Sequence, residues 1–307
     1  MKKLLMLLLA IGTAAAIGAG TASAGDFTLK YAVSNSAGLS ALDPAKASSQ
    51  IQWQALYMTC ANLFNHPDVD LQNGGRVVPE VADPNDTVSA DGLTYTFTLR
   101  PGFTFSSGSP VTADNYATEI NRVRDASISQ NGSAYAADIT TAVALDPSTL
   151  KITLSAPHAD LPDRLAMPYF CPVPVGTGAT PTLPLPASGP YMVGTTTGGS
   201  ALTLVRNPNY TSTRPRNPAT IEFISVATAS DAYAGVDSGT YDVADSLGDG
   251  GYSAAGQTWG PGSTNAQQGV QRFFVQPSNG INYLAPQHGR RAATREPESS
   301  ARRQLRS

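Results

Sequence analysis

The stretch LTYTFTLRPGFTFSSGSPVTADNYATEINRVR, residues 93–124, determines the fold of this 307-residue chain. In its first part, Tyr95, Phe97 and Leu99 alternate with threonines. A period of two is typical of a β-strand that buries one face. The pair Pro101-Gly102 then turns the chain. The stretch therefore predicts an amphipathic strand followed by a tight turn.

The second part of the same stretch predicts a helix. Thr112 stands where a helix N-cap belongs, and Asp114 in the first turn suits the positive end of the helix dipole. Tyr116, Ile120 and Val123 recur at helical spacing. We therefore expect this helix to bury one stripe of its surface.

This order of strand, Arg-Pro-Gly turn, aromatic pair, Ser-Gly-Ser-Pro and capped helix resembles the peptide/nickel class of solute-binding proteins that feed ABC importers, the extracytoplasmic family 5. Other stretches of the chain fit the same family pattern: Leu42-Asp-Pro44, Val77–Ala82, Ala187–Val193 and Leu202–Tyr210. The resemblance implies an α/β fold, periplasmic binding protein-like of type II, cluster C. It implies that the chain captures oligopeptides or similar small solutes outside the membrane and delivers them to the permease of an ABC transporter.

The resemblance also divides the chain. Residues 25–60 and 172–285 form a first lobe with a mixed sheet, and residues 61–171 form an inserted α/β subdomain. The resemblance ends after Ala285, where relatives continue into a complete second lobe, so we expect that lobe to be missing here. In relatives most side-chain contacts to the peptide come from the second lobe, so the shortened chain is expected to bind weakly or not at all.

Residues 286–307 differ in composition from the rest of the chain. They hold six arginines and two glutamates, a net charge of +4, which leaves −7 for the preceding residues. One leucine and no periodicity cannot supply a buried face, so we expect this Arg-rich tail to be disordered. One hypothesis is that the gene loses its reading frame near codon 286. The alternative is a genuine basic tail that binds acidic lipid.

Residues 1–24 have the pattern of a cleavable signal peptide. Lys2 and Lys3 precede the short apolar stretch 4–17, and Ala22-Ser-Ala24 offers a small-residue cleavage site. The alternative is a retained membrane anchor. No cysteine stands at the cleavage site, so we expect no lipid anchor. The mature chain is expected to be periplasmic or extracellular, and its acidic body gives no reason to expect a nucleic-acid partner.

The chain has two cysteines, Cys60 and Cys171. After export they would be in an oxidising environment. They form either a disulfide or two buried free thiols. In the loop-entropy model an unstrained bridge would contribute roughly 3–5 kcal/mol.

Candidate ligand contacts follow from the resemblance. In relatives, the polar residues just after Leu-Asp-Pro lie at the mouth of the cleft, which points to Ser48, Ser49 and Gln50. The alternative is an ordinary capped helix N-terminus. Tyr135 stands near the place of a tyrosine that lines the peptide site in some relatives, and surface packing is its alternative role. Tyr283 lies in the stretch 281–285, which in relatives crosses between the lobes.

The residues themselves give little support for an enzyme, and the exported hydrolase or peptidase is kept as the alternative function. Asp237-Ser-Gly-Thr240 has the form of an aspartic-protease loop, but that chemistry needs a second carboxylate loop that the chain lacks. Gly239 is better explained as the left-handed end of a helix. The three histidines have no metal-ligand spacing, and the glycine runs 248–251 and 260–262 lack the Lys-Ser/Thr of a phosphate loop and are interpreted as surface turns. We therefore expect no catalytic residue, cofactor or metal, and a monomer.

Overall fold

The computed structural model describes residues 26–34, 39, 42–67, 69, 74–244 and 246–273. The predicted signal peptide, the candidate contact Tyr283 and the Arg-rich tail lie outside these residues. Within the described part, no helix has the length and apolar character needed to cross a membrane.

The described part alternates between strands and helices. Its strands are β1 (Thr28–Val33), β2 (Phe64–Asn65), β3 (Val78–Pro79), β4 (Thr87–Val88), β5 (Thr94–Thr98), β6 (Ile139–Asp146), β7 (Thr149–Leu154), β8 (Tyr191–Thr197), β9 (Ala201–Arg206), β10 (Thr220–Ser225) and β11 (Val243–Ala244). Its α-helices are α1 (Gln50–Thr59), α2 (Ala113–Arg124), α3 (Leu161–Leu165), α4 (Ala229–Asp237), α5 (Gly251–Trp259) and α6 (Thr264–Gln267). Three 3-10 turns, Pro44–Lys46, Ser133–Ala136 and Pro168–Phe170, connect them.

The larger sheet is mixed and has five strands in the order β11-β1-β10-β9-β8. β1 runs parallel to both β10 and β11, whereas β9 is antiparallel to β10 and to β8. The mixed sheet and the alternation of helices and strands agree with the predicted α/β class.

The second sheet is antiparallel, in the order β4-β5-β7-β6, and the stretch 93–124 builds its centre. Tyr95, Phe97 and Leu99 are buried, as the alternation predicts. Thr112 is the N-cap of α2, and its backbone N–H donates to the side chain of Asn115 at 2.7 Å. The predicted stripe of α2 is fully buried.

The five-stranded sheet draws its strands from 25–60 and 172–285, whereas the four-stranded sheet and the two-stranded pair β2-β3 draw theirs from 61–171. One hydrophobic core nevertheless runs through both parts. Cys60 and Cys171, which flank the boundaries, are joined by a disulfide, the first of the two alternatives for these cysteines. The boundaries themselves remain predictions.

The family-like stretches 187–193 and 202–210 brace the end of α1. Gly189 lies so close to it that a Cβ there would stand 2.6 Å from the backbone nitrogen of Cys60. The backbone N–H of Gly189 donates to the Thr59 carbonyl at 2.8 Å. Asn207, fully buried, donates its side-chain amide to the Gly189 carbonyl at 2.9 Å. Both signatures therefore have a structural role.

The prediction of a surface turn is wrong for Gly251, and the prediction of a left-handed helix end at Gly239 is confirmed. Gly251 was expected in a surface turn, but it is buried and begins α5, because Gly250 before it takes the left-handed conformation with φ 77° and redirects the chain. Gly239 follows α4 with φ 79°, the left-handed helix end that the sequence predicts.

A buried ionic cluster ties the Leu-Asp-Pro turn to α2. Arg122 donates two hydrogen bonds to Asp43, at 2.9 and 2.8 Å, and a third to the Gly178 carbonyl at 3.1 Å. It also pairs with Glu119 one helical turn away. All three charged side chains are at most 5% exposed. The cluster joins residues 79 positions apart and fixes the chain just before α1.

Asp43 and Glu119 share the single guanidinium of Arg122. Burial raises the pKa of Glu119 to about 8, against the attraction of Arg122, and the neighbouring Asp43 adds to the increase. Neutral Glu119 together with the ion pair gives the cluster no net charge, which is the favourable arrangement in an interior.

Replacing Asp43 by alanine should strongly destabilise the protein. It leaves the buried Arg122 guanidinium without the carboxylate that accepts two of its hydrogen bonds, and breaking a buried ion pair costs about 3–5 kcal/mol. Asp26→Ala is the matched control, because Asp26 is 93% exposed and pairs with Arg206 at the surface, where such pairs contribute about 1 kcal/mol or less. Urea unfolding measures both variants. Equal losses would show that the cluster does not hold this turn.

The stability of the wild-type chain should fall as the pH rises towards 8. Glu119 titrates near 4.5 when unfolded and at about 8 when folded, so the folded state holds the proton and its advantage is lost as the pH rises through this window. The limiting slope for one proton is about 1.4 kcal/mol per pH unit. Glu119→Gln keeps the neutral shape and should show a shallower fall between pH 6 and 8.

Urea unfolding at several pH values measures the slope. Glu222→Gln, on the partly exposed face of β10, is the control and should follow the wild type. Parallel curves for Glu119→Gln and the wild type would contradict the neutral state of Glu119.

Candidate ligand-binding site

The predicted contacts Ser48, Ser49 and Gln50 lie at the start of α1. Ser49 is the N-cap, and its hydroxyl accepts from the backbone N–H of Gln52. The side-chain oxygen of Gln52 in turn accepts from the backbone N–H groups of Ser48, at 2.8 Å, and Ser49, at 3.2 Å. This is a capping box. Ser49 therefore has a capping role, and Ser48 and Gln50 are exposed. Ligand contact by these three residues stays a prediction.

Tyr135 is connected to α1 through the ring of Tyr169. Its ring stacks on Tyr169 with centroids 5.8 Å apart, and Tyr169 meets Trp53 of α1 edge-on at 5.1 Å. The Tyr169 hydroxyl donates to the carbonyl of Ala47, just before α1. Tyr135 itself is 40% exposed, so it combines packing with an open ring face.

The outward face of α1 forms one wall of an open cavity of about 600 Å³. Tyr31 of β1 and the segment 166–168 form the other walls. We call this cavity the aromatic groove; its lining residues are Tyr31, Gln50, Trp53, Gln54, Tyr57, Met58, His66, Ala166, Met167 and Pro168.

The aromatic walls of the groove are held by contacts behind them. The Tyr31 ring packs on buried Phe223 at 5.2 Å. The Tyr57 hydroxyl donates to the His66 carbonyl at 2.9 Å, and the guanidinium of Arg214 lies 5.0 Å from the centre of the Tyr57 ring. Rings fixed in this way form a preorganised apolar surface.

Arg214 also caps the carboxyl end of α1. Its two terminal nitrogens donate to the carbonyls of Tyr57, at 2.8 Å, and Cys60, at 2.6 Å. A cation at this position interacts favourably with the helix dipole. Its Nε lies 3.1 Å from buried Glu80. Burial raises the pKa of Glu80 to about 7, although Arg214 and the backbone amide of Asn62 act in the opposite direction.

Sequence reasoning found part of this face and missed the rest. It named Gln50 and Tyr135 as separate candidate contacts but overlooked Trp53, Tyr57 and Tyr169. The signal was present: Gln50, Trp53, Gln54 and Tyr57 recur at i, i+3, i+4 and i+7, a second stripe beside the buried one.

The arrangement suits binding more than bond cleavage. Asp237, in the protease-like stretch, is exposed at the end of α4. In the described part of the chain, no three His, Cys, Asp or Glu side chains come together in a way that could hold a metal ion. What the face offers is an apolar surface with amide groups beside it.

Replacing Arg214 by alanine should destabilise the end of α1. The change removes two hydrogen bonds and leaves Glu80 without its ion pair, for which we expect a loss of about 2–4 kcal/mol. Arg100→Ala is the control. Arg100 lines the same cavity as Glu80 and Arg214, but it is exposed. Urea unfolding compares them, and a loss for Arg214→Ala no larger than that for the control would refute the capping role.

Comparison with known proteins gives a consistent picture. Residues 76–299 match the family model for bacterial extracellular solute-binding proteins, family 5. This match extends 14 residues beyond Ala285, where the sequence analysis placed the end of the resemblance. The glutathione-binding protein GsiB of Escherichia coli K12 is 30% identical over 162 residues, which cover 52% of this chain and 30% of GsiB.

Two solved structures share the fold. AgaA of A. tumefaciens R10, in complex with agropinic acid, has a TM-score of 0.66 and 22% identity over 75% of this chain and 46% of AgaA. Listeria monocytogenes OppA, bound to peptide, has a TM-score of 0.58 and 20% identity over 71% of this chain and 46% of OppA. The chain thus spans just under half the length of these solved structures and about a third of GsiB.

Proposed function

Because the chain belongs to family 5 of the bacterial extracellular solute-binding proteins, we propose that it binds peptides or similar small solutes for an ABC importer. In this role it captures the solute outside the membrane, as a monomer without a cofactor, and delivers it to a membrane permease. Export through the segment 1–24 is part of the proposal, since the solute has to be captured before it crosses the membrane.

The observation that carries the proposal is the aromatic groove. It is concave, apolar and bordered by a few amide groups, and its volume lies within the range of about 300–1,000 Å³ that is usual for small-molecule sites. The family resemblance implies ligand contact for the described residues Ser48, Ser49, Gln50 and Tyr135; Gln50 lines the groove, and the Tyr169 ring connects Tyr135 to Trp53 in its wall. Ser49 contributes by capping α1.

The names of the similar proteins point to solutes of several kinds. GsiB is described as binding glutathione, OppA is bound to peptide and AgaA holds agropinic acid. Two of these three solutes contain peptide bonds, so peptides are the solute class that we propose.

The proposal is tested by incubating the full chain with a defined mixture of di- to pentapeptides. After rapid gel filtration, native mass spectrometry identifies what the protein retains. Because an open groove encloses a solute only in part, we expect weak retention, at one peptide per chain or fewer. The retained peptides should be intact, because a binding protein leaves its solute unchanged. Retention of none would refute the proposal.

The same experiment decides the alternative of an exported hydrolase, because cleavage products in the mixture would favour it. Asp237→Ala is the matched variant in that case. Cleavage that this substitution abolishes would place the reaction in the Asp-Ser-Gly-Thr stretch, and cleavage that persists would place it elsewhere in the chain.

A further inference from the structure

We propose that the aromatic groove selects solutes by an uncharged apolar side group, aromatic or aliphatic, that carries a neighbouring N–H donor. The inference rests on the proposed function for the kind of solute and adds the part of the solute that this chain recognises. Three features of the groove support the inference: the absence of charge in its described lining, the fixed position of its walls, and one side-chain amide oxygen that has no hydrogen-bond partner among the described residues.

The lining of the groove excludes charge. Its described residues include no Asp, Glu, Lys or Arg, and His66 is the one titratable imidazole among them. The nearest arginine, Arg214, stands behind the Tyr57 ring and is committed to Glu80 and to two carbonyls at the end of α1. A charged side group that entered the groove would lose water without gaining a counter-charge, which is strongly unfavourable.

The walls favour apolar side groups of more than one shape. Trp53, Tyr57 and Tyr31 are each partly exposed yet fixed from behind, so little conformational entropy is lost when a side group packs on them. Met58 and Met167 line the same space, and methionine side chains adapt to irregular neighbours. Rigid rings and flexible thioethers together suit both aromatic and aliphatic groups.

A polar requirement accompanies the apolar one. Gln54 lines the groove, and its Oε1 is buried without a hydrogen-bond partner among the described residues. An acceptor left in this state costs free energy that a donor can recover. A peptide offers such a donor in the backbone N–H next to each side chain, whereas a plain hydrocarbon does not.

The test uses Trp53 as a built-in reporter. The chain has two tryptophans, Trp53 and Trp259, and Trp259 lies on a different surface, 5.2 Å from the guanidinium of Arg272. In the variant Trp259→Phe the fluorescence therefore comes from the groove. The probes are the neutral N-acetyl-phenylalaninamide, the cationic N-acetyl-lysinamide and the anionic N-acetyl-glutamic acid amide.

We expect the neutral amide to change the Trp53 emission in a saturable way. The two charged amides should bind at least about tenfold more weakly, and a tenfold difference in affinity corresponds to about 1.4 kcal/mol. Trp53→Phe, which leaves Trp259 as the reporter, should give no saturable change. No saturation with the neutral amide, or equal binding of all three, overturns the inference. A groove already filled by another part of the chain gives this negative result.

A second measurement separates the inference from the proposed function. The wild type and Trp53→Ala are titrated with Ala-Phe-Ala and Ala-Lys-Ala in a calorimeter. We expect the wild type to prefer Ala-Phe-Ala by about tenfold and the ratio of the two affinities to fall towards one in the variant. Peptide binding without this preference refutes the inference alone, whereas no peptide binding in the wild type refutes the proposed function, and the reporter experiment still decides the groove.

Discussion

The buried ion pair between Asp43 and Arg122 is the interaction on which the placement of α1 depends. One guanidinium nitrogen of Arg122 donates to both carboxylate oxygens of Asp43, and the other two nitrogens donate to Glu119 and to the Gly178 carbonyl, so the guanidinium is fixed in direction as well as distance. Because Arg122 lies on α2, the pair attaches the turn before α1 to the second sheet and its helix. The Tyr169 hydroxyl, bonded to the Ala47 carbonyl, supports the same segment from another side.

The other end of α1 is held as firmly. The disulfide joins Cys60, its C-cap, to Cys171, and Arg214 binds the carbonyls of Tyr57 and Cys60. The close approach of Gly189 leaves no room for this end to shift. A helix fixed at both ends presents its outer face in one position. Contacts outside the aromatic groove therefore keep this wall of the groove rigid.

Arg122 and Arg214 share a charge pattern. Each has a buried carboxylate nearby whose pKa is raised by burial, Glu119 beside Arg122 and Glu80 beside Arg214. At Arg122 a second carboxylate, Asp43, also binds the guanidinium, and its charge adds to the increase in the pKa of Glu119 that burial causes. The interior tolerates these carboxyl groups near two guanidinium groups because the raised pKa values allow Glu119 and Glu80 to hold a proton that ordinary glutamates would lose.

The sequence predicts local features well and long-range ones poorly. Tyr95, Phe97 and Leu99 follow the period of a strand and Tyr116, Ile120 and Val123 that of a helix, and such patterns depend on neighbours along the chain. The sequence could not pair Asp43 with Arg122 or decide between a disulfide and free thiols for Cys60 and Cys171, because these depend on which distant segments meet. Ser49 shows a second difficulty, because a serine at the start of a helix looks the same in the sequence whether it caps the helix or contacts a ligand.

The same contrast explains why the groove escaped notice in the sequence and why it matters for recognition. Trp53 and Tyr57 are large apolar residues one turn apart on a helix, and core packing is the default explanation for such a pair. The structure buries Ile51, Ala55 and Leu56 instead and leaves the two aromatic residues on the neighbouring stripe, partly exposed and supported from behind. The apolar surface that these two side chains expose to water has a free-energy cost. Packing within the described part of the chain does not offset this cost. An apolar side group supplied by a solute offsets it, and selection by that group rather than by charge follows from the lining.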